Sequence, residues 1–179
     1  MSEFRSIRPE EFSGNPFSLI GLDWMLVTSA DPGESYEGGK NYNTMTASWG
    51  GMGILWGKPV AFVFIRPQRH TYAFAERNER LTLSFFGPEY KAALGFCGSK
   101  SGRDYDKAKE CGLTPVSDSG PHGRAVWFEE AKLVFKTRKL YAKPFDPAAF
   151  LDADARGCYP EDDFHTAYVA EIEEILVKD

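Results

Sequence analysis

The chain has 179 residues, enough for one compact domain with a real core and too few for two ordinary ones, so a single domain over 1–179 is expected. Apolar residues make up 42% and aromatics 15%, while the net charge of -5 repels nucleic acid and anionic membranes. Cys97, Cys111 and Cys158 are widely spaced with no C-x-x-C pair, which speaks against a disulfide scaffold, a zinc site or an iron-sulfur cluster, and no metal site is expected.

In chain order, the opening from Met1 to Glu10 carries Glu3, Arg5, Arg8 and Glu10 and no apolar leader, and no stretch approaches 18 uninterrupted apolar residues; a cytoplasmic protein without membrane partners is the expectation. A strand-like run covers Leu19 to Thr28. Asp31, Pro32, Gly33, Gly38 and Gly39 then make the stretch Ala30 to Lys40 a polar surface loop. Tyr42 to Trp49 reads as a strand, which places Thr44, Thr46 and Ser48 in a hydroxyl row on one face and turns Met45, Ala47 and Trp49 into the core. Gly50, Gly51, Gly53 and Gly57 follow as a loop whose backbone can approach a flat ligand closely, because no Cβ stands in the way. Gly51-Met52-Gly53 is not a dinucleotide fingerprint, since the third glycine is missing and a strand follows.

Val60 to Arg66 has no polar alternation and reads as a strand buried on both faces, whereas Leu81 to Phe86 alternates as a half-exposed strand does. Between them a helix is predicted from His70 to Asn78. Short helices are predicted at Glu89 to Leu94, from an Asp104 cap to Gly112, and from Asp146-Pro147. Further strands are predicted at Trp127 to Tyr141 and Ala167 to Val177, and the set suggests a closed or nearly closed barrel with short helices in the connections.

Three clusters can carry chemistry. Arg66, Arg69 and the Thr71 hydroxyl at a strand end and helix start form a credible phosphate cradle; the plainer alternative is that Thr71 caps the helix and the arginines are solvated. Gly98-Ser99-Lys100-Ser101-Gly102-Arg103 is rich in donors suited to phosphate, or is a surface turn. His165, just before the last strand, is a donor near a ligand or a packing residue, and His122 is a turn residue. Trp49 and Trp56 border a ligand, or fill the core or a subunit contact.

The stretch N-x-M-T-A-S-W-G at Asn43 to Gly50, then L-W-x-K-P-V at Leu55 to Val60 and I-R-P-Q-R-H-T-Y at Ile65 to Tyr72, resembles the flavin reductase-like family, its flavoredoxin branch above all, over about Gly21 to Val177. The resemblance implies a mainly β fold, an FMN-binding split β-barrel of antiparallel Greek-key type, acting as a homodimer with FMN near the subunit interface. It implies an oxidoreductase reduced by NADH or NADPH, that is, a flavin reductase. A flavoredoxin-like carrier fed by an electron-transfer protein, or an FMN-binding module without turnover, are the alternatives. Carried over by position, FMN contacts fall on Asn43, Met45, Thr46, Ala47, Ser48 and Trp49 at the ring, and on Arg66, Arg69, His70, Thr71, Ser99 and Lys100 at the ribityl chain and phosphate. His165 falls in the catalytic position beside the ring.

Overall fold

The structure is a computed structural model that describes residues 3–32 and 41–178. Among the described residues ten strands carry the fold: β1 (Arg5–Ile7), β2 (Met25–Ala30), β3 (Tyr42–Ala47), β4 (Gly50–Leu55), β5 (Lys58–Ile65), β6 (Arg80–Phe85), β7 (Pro115–Gly120), β8 (Gly123–Phe128), β9 (Leu133–Pro144) and β10 (Thr166–Val177). Five short helices lie in the connections: α1 (Pro16–Ser18), α2 (His70–Arg77), α3 (Lys91–Ser99), α4 (Lys107–Glu110) and α5 (Ala153–Gly157).

All pairings are antiparallel, and the main sheet runs β3-β2-β6-β9-β10-β5-β4. β5 covers the first half of β10, from Thr166 to Glu171, and β1 covers its end, from Ile175 to Val177. The edge strands β3 and β4 are consecutive in the chain and joined only by Ser48 and Trp49. A sheet whose two edges are tied by so short a link has to roll up on itself. Register shifts at Val169/Ala170 and Ile172/Glu174 supply bends that allow it. Among the described residues β3 and β4 exchange no ladder bonds, so the barrel is split along this seam.

Alternation along the strands sends Met25, Val27, Met45, Ala47, Val63, Ile65, Leu83, Phe85, Phe135 and Tyr168 into the barrel interior. The outer face is not left to solvent. Leu26, Tyr42 and Val134 pack there with Leu94 and Cys97 of α3 and with Ala125 to Phe128 of the β7–β8 hairpin. That second layer corrects one expectation: Leu81 to Phe86 is buried throughout, because the hairpin covers its polar side and Thr82 Oγ1 donates to the Val126 carbonyl.

Other boundaries differ for local reasons. Leu19–Asp23 is a helical turn that ends on Trp24 at φ 71°, so the strand begins only at Met25. The glycine segment after Trp49 is the strand β4, and its hairpin to β5 closes on Trp56 and Gly57 at φ 52° and 70°, the left-handed pair of a type I′ turn. Gly50 is needed at its start, since a Cβ would lie 2.9 Å from the Phe62 carbonyl oxygen. The run Trp127 to Tyr141 is two strands separated by a turn at Glu129 to Lys132. The helix expected from Asp104 begins at Lys107, with Asp106 as its cap accepting from Lys109 N. Residues 33–40 of the expected surface loop lie outside the described residues, and Asp31 at its start holds Arg77 at 2.6 Å.

Candidate functional site

The end of β3 and the link to β4 form one wall of a pocket of about 220 Å³, lined by Met45, Thr46, Ala47, Ser48, Trp49, Phe64, Arg66, Arg69 and His165. Strand register explains the meeting of residues so distant in sequence. Thr166 pairs with Ile65, so the residues just outside that pair, His165 and Arg66, emerge side by side at the same end of the barrel. Past Arg66, a turn closed by Arg69 N donating to the Arg66 carbonyl at 3.1 Å brings Arg69 in as the N-cap of α2.

Each polar group there has a defined state. Arg66 is spent on structure: it pairs with Asp163, donates to the Cys158 carbonyl at 2.9 Å, and its guanidinium sits 5.0 Å from the centre of the Tyr159 ring. The bond from Arg66 holds the Asp163 carboxyl below its ordinary pKa, and Gln68 Nε2 donates to the same carboxylate. His165 is 8% exposed, its Nδ1 lies 2.8 Å from the Tyr159 hydroxyl, and its ring centre is 5.4 Å from that of Trp49. Burial, aided by the nearby Arg66 charge, pushes the imidazole down to about 4, so it is neutral at physiological pH. Arg69 is different. Its one side-chain bond is to the Cys97 carbonyl at 3.4 Å, and among the described residues no carboxylate lies within ion-pair distance of it. Burial lowers its pKa, yet a guanidinium stays charged in any protein.

The expected hydroxyl row is mostly turned to other uses, because α3 packs on that face of β3 and the neighbouring strand β2 sets Thr28 opposite Thr44. Thr46 Oγ1 donates to the Leu94 carbonyl at 2.5 Å, and Thr44 Oγ1 lies 2.9 Å from Thr28 Oγ1. Only Ser48 keeps a hydroxyl without a hydrogen bond among the described residues, and it faces the pocket. Met45 and Ala47 are buried, but Trp49 is 49% exposed instead of inside: it sits where the chain crosses from β3 to β4 and the alternation lapses. Trp56 is likewise exposed at its turn.

The pocket therefore gathers Met45, Thr46, Ala47, Ser48, Trp49, Arg66, Arg69 and His165, and five other candidates lie elsewhere. Asn43 is buried and donates to Thr71 Oγ1 at 2.7 Å, and Thr71 is wholly buried. His70 stands edge-on to Phe74 and lines a neighbouring hollow of about 490 Å³ with Asn43, Arg103, Asp104, Asp106 and Lys107. Ser99 donates back to the Gly95 carbonyl at 3.0 Å and Lys100 caps the end of α3. Both are exposed and lie one turn from the Cys97 carbonyl that holds Arg69. A third hollow, about 480 Å³, continues past Ser48, Trp49 and Phe64 and is walled by Pro16, Phe17, Ile20 and Met52.

Phe64, Asp163, Tyr159 and Lys107 also belong to the site or its supports, and no motif in the sequence marks them. Lys107 is the least legible: it looks like a surface lysine in a first helical turn, yet it is 5% exposed, and its Nζ donates to the Thr44 and Cys97 carbonyls, each at 2.9 Å. Burial pushes its amine down to about 8. It ties β3 to α3 through the same Cys97 carbonyl that holds Arg69.

The site has an aromatic, neutral end at Trp49, Phe64 and His165 and, among the described residues, one cation without a carboxylate partner, Arg69. This donor set fits a flat, hydrogen-bonding ring with an anionic tail. A sequence model of the flavin reductase like domain matches residues 18–179. No curated protein matches the chain. Among solved structures, the FMN-binding domain of a flavin reductases-like enzyme from Shewanella baltica OS155 has a TM-score of 0.65 at 15% identity, covering 99% of this chain and 78% of that one. Flavoredoxin of Desulfovibrio vulgaris (Miyazaki F) has a TM-score of 0.65 at 20% identity, covering 97% and 78%. An FMN-binding protein from Thermus thermophilus, solved with p-hydroxybenzaldehyde, has a TM-score of 0.63 at 20% identity, covering 98% and 82%. At these identities the structures speak for the fold, a split barrel, and the match of the domain over most of the chain speaks for the family: the protein belongs to the flavin reductase-like family.

Proposed function

We propose that the protein binds FMN in the pocket between Trp49 and Arg69 and is an NAD(P)H-dependent oxidoreductase of the flavin reductase type. The observation that carries this reading is the pocket's polarity, neutral and aromatic at one end with, at the other, a guanidinium that has no carboxylate partner among the described residues. Membership of the family supports it, as do the FMN-binding relatives of the same fold. Backbone groups of Thr46, Ala47 and Ser48, with the Ser48 hydroxyl and His165, would face the ring. Arg69 would neutralise the phosphate, with Ser99 and Lys100 within reach at the end of α3. Asn43, Thr71 and Lys107 would support from behind, and Arg66 would hold the wall that carries His165.

Bound there, FMN supplies the two-electron redox chemistry. The chain's own contribution is positional: Phe64 and Trp49 exclude water from the ring, Arg69 offsets the tail's charge, and His165 offers an uncharged polar atom at the ring edge. We further propose a homodimer. β4 is an edge strand whose flank carries Phe17, Ile54 and Trp56 at 86%, 74% and 60% exposure, a surface suited to a second copy. Light scattering checks this, and a monomer at micromolar concentration refutes it.

One observation favours a second reading. The hollow beyond Trp49 is walled by apolar residues, glycines and Ser48 and, among the described residues, offers no lysine or arginine to a nicotinamide dinucleotide's pyrophosphate. A carrier that takes electrons from a protein partner has no need of one. The visible spectrum of purified protein, followed by anaerobic stopped-flow addition of NADH and of NADPH, separates the readings. A flavin spectrum bleached rapidly by either donor supports the reductase; a flavin spectrum bleached only slowly by both supports the carrier. A colourless protein that takes up no FMN in calorimetry refutes both.

A further inference from the structure

The segment between α5 and β10 brings an aromatic group behind the pocket that none of the roles above uses. Tyr159 is 3% exposed and its ring packs among Phe145, Phe150, Phe164 and His165, with centroids 6.4, 5.7, 5.0 and 5.5 Å away. The Arg66 guanidinium covers that ring at 5.0 Å, and Arg66 is itself locked by Asp163 and the Cys158 carbonyl. From this rigid setting the Tyr159 hydroxyl reaches His165 Nδ1 at 2.8 Å. His165 also lines the pocket, and its Nε2 has no partner among the described residues. We propose that Tyr159 is a positioning residue that holds His165 as its Nε2–H tautomer, so that the pocket presents a neutral N–H donor to an acceptor atom of the ligand, a carbonyl oxygen or an imine-type ring nitrogen.

The direction of the buried bond decides the tautomer. A phenol O–H is a good donor and its oxygen a weak acceptor, whereas the unprotonated nitrogen of imidazole is a good acceptor, so the O–H···Nδ1 arrangement is the stronger one. With Nδ1 accepting, the single imidazole proton resides on Nε2, where one ring nitrogen's bond sets the state of the other. Burial works in the same sense: it raises the Tyr159 pKa, keeping the hydroxyl proton in place, while the Arg66 charge helps keep His165 from taking a second proton. A neutral donor meets a carbonyl without the desolvation cost of a buried cation. The identity of the acceptor atom as part of a flavin or its electron donor rests on the proposed function. The tautomer itself does not.

The test therefore begins on ligand-free protein. Long-range 1H–15N correlation spectra at neutral pH, with the His165 signals assigned by their loss in His165→Gln, are expected to show the Nε2–H pattern. In Tyr159→Phe the same signals should move toward a mixture with Nδ1–H. Loss of one oriented hydrogen bond should slow anaerobic flavin reduction by about fivefold while FMN affinity stays within about twofold. An Nδ1–H pattern in the unaltered protein overturns the proposal without any variant having to fold. So does an unchanged Nε2–H pattern in Tyr159→Phe. Because the tautomer is read before FMN is added, a colourless preparation would sink the flavin reading and leave this result standing.

Discussion

The pocket at Trp49 and the hollow at His70 share a wall, β3, and differ in how they spend charge. In the first, Arg66 is closed off by Asp163, His165 is neutral and, among the described residues, Arg69 stands without a carboxylate. In the second, His70, Arg103 and Lys107 share the lining with Asp104 and Asp106, so cations and carboxylates mix. A surface of mixed sign is hydrated and unselective. A nearly neutral cleft with one cation at its end selects both shape and charge. That contrast is the ground for proposing the smaller of the two cavities as the ligand site.

The largest effect that can break this contrast is the acid response of the two histidines. His165 is pushed from 6.5 to about 4, so the unfolded chain binds more protons than the folded one across that window. Stability should be intact above pH 6.5 and fall as the pH drops toward 4, by at most about 3 kcal/mol from this group. His165→Gln should remove that part of the slope in urea titrations at several pH values. His70 is also lowered by burial, but it is half-buried and faces the wetter hollow, so His70→Gln should remove less. Equal changes would erase the electrostatic distinction between the two sites.

Next in size is the division of labour between the arginines. Arg69→Ala should weaken FMN binding about 10- to 100-fold, as loss of a charge-assisted contact does, and leave the unfolding midpoint nearly unchanged. Arg66→Ala leaves the Asp163 carboxylate with Gln68 but no cation and frees the Cys158 carbonyl, so it should lower the midpoint clearly. Fluorescence titration with FMN and thermal unfolding on both variants read the two effects apart. If Arg66→Ala costs affinity without stability, the assignment is reversed. A smaller effect sharpens the other side: a Cβ at Gly102 would lie 1.8 Å from Asn43 Oδ1. Gly102→Ala should cost about 1–2 kcal/mol, a fall of about 5 °C in the midpoint, because Asn43 must release Thr71. FMN affinity should hold if the hollow is structural.

Much of the frame is legible in the chain. The unbroken apolar run at Val60 to Ile65 and the hydroxyl alternation after Tyr42 lead to β5 and β3, and Pro67 ahead of His70 leads to α2. Periodicity tells which residues share a face but not what packs on that face, so the Thr44 and Thr46 hydroxyls look available when α3 and β2 have taken them. It is also silent on register: only the Thr166–Ile65 pairing sets His165 beside Arg66. Tyr159 stands in a stretch rich in Asp and aromatics with no regular pattern, and its bond to His165 depends on a fold-back that no spacing announces. Lys107 is hidden for a related reason, since lysines are buried so seldom that composition argues against it.

The smallest expected effect concerns Trp49, which stands with Phe64 at the border of the pocket and the apolar hollow beyond it. Being 49% exposed, it contributes little to the core, and Trp49→Ala should shift stability by no more than about 0.5 kcal/mol. Its ring lies 5.4 Å from His165, so a flat ligand entering the cleft must pass against it or displace it. Flavin bound near an indole loses fluorescence by contact, and the variant should bind FMN with its emission partly restored. A loss of stability of several kcal/mol would mean that Trp49 holds the seam between β3 and β4, and unchanged quenching would place the ring of the ligand away from it. The second result would move the proposed site off the neutral end of the pocket.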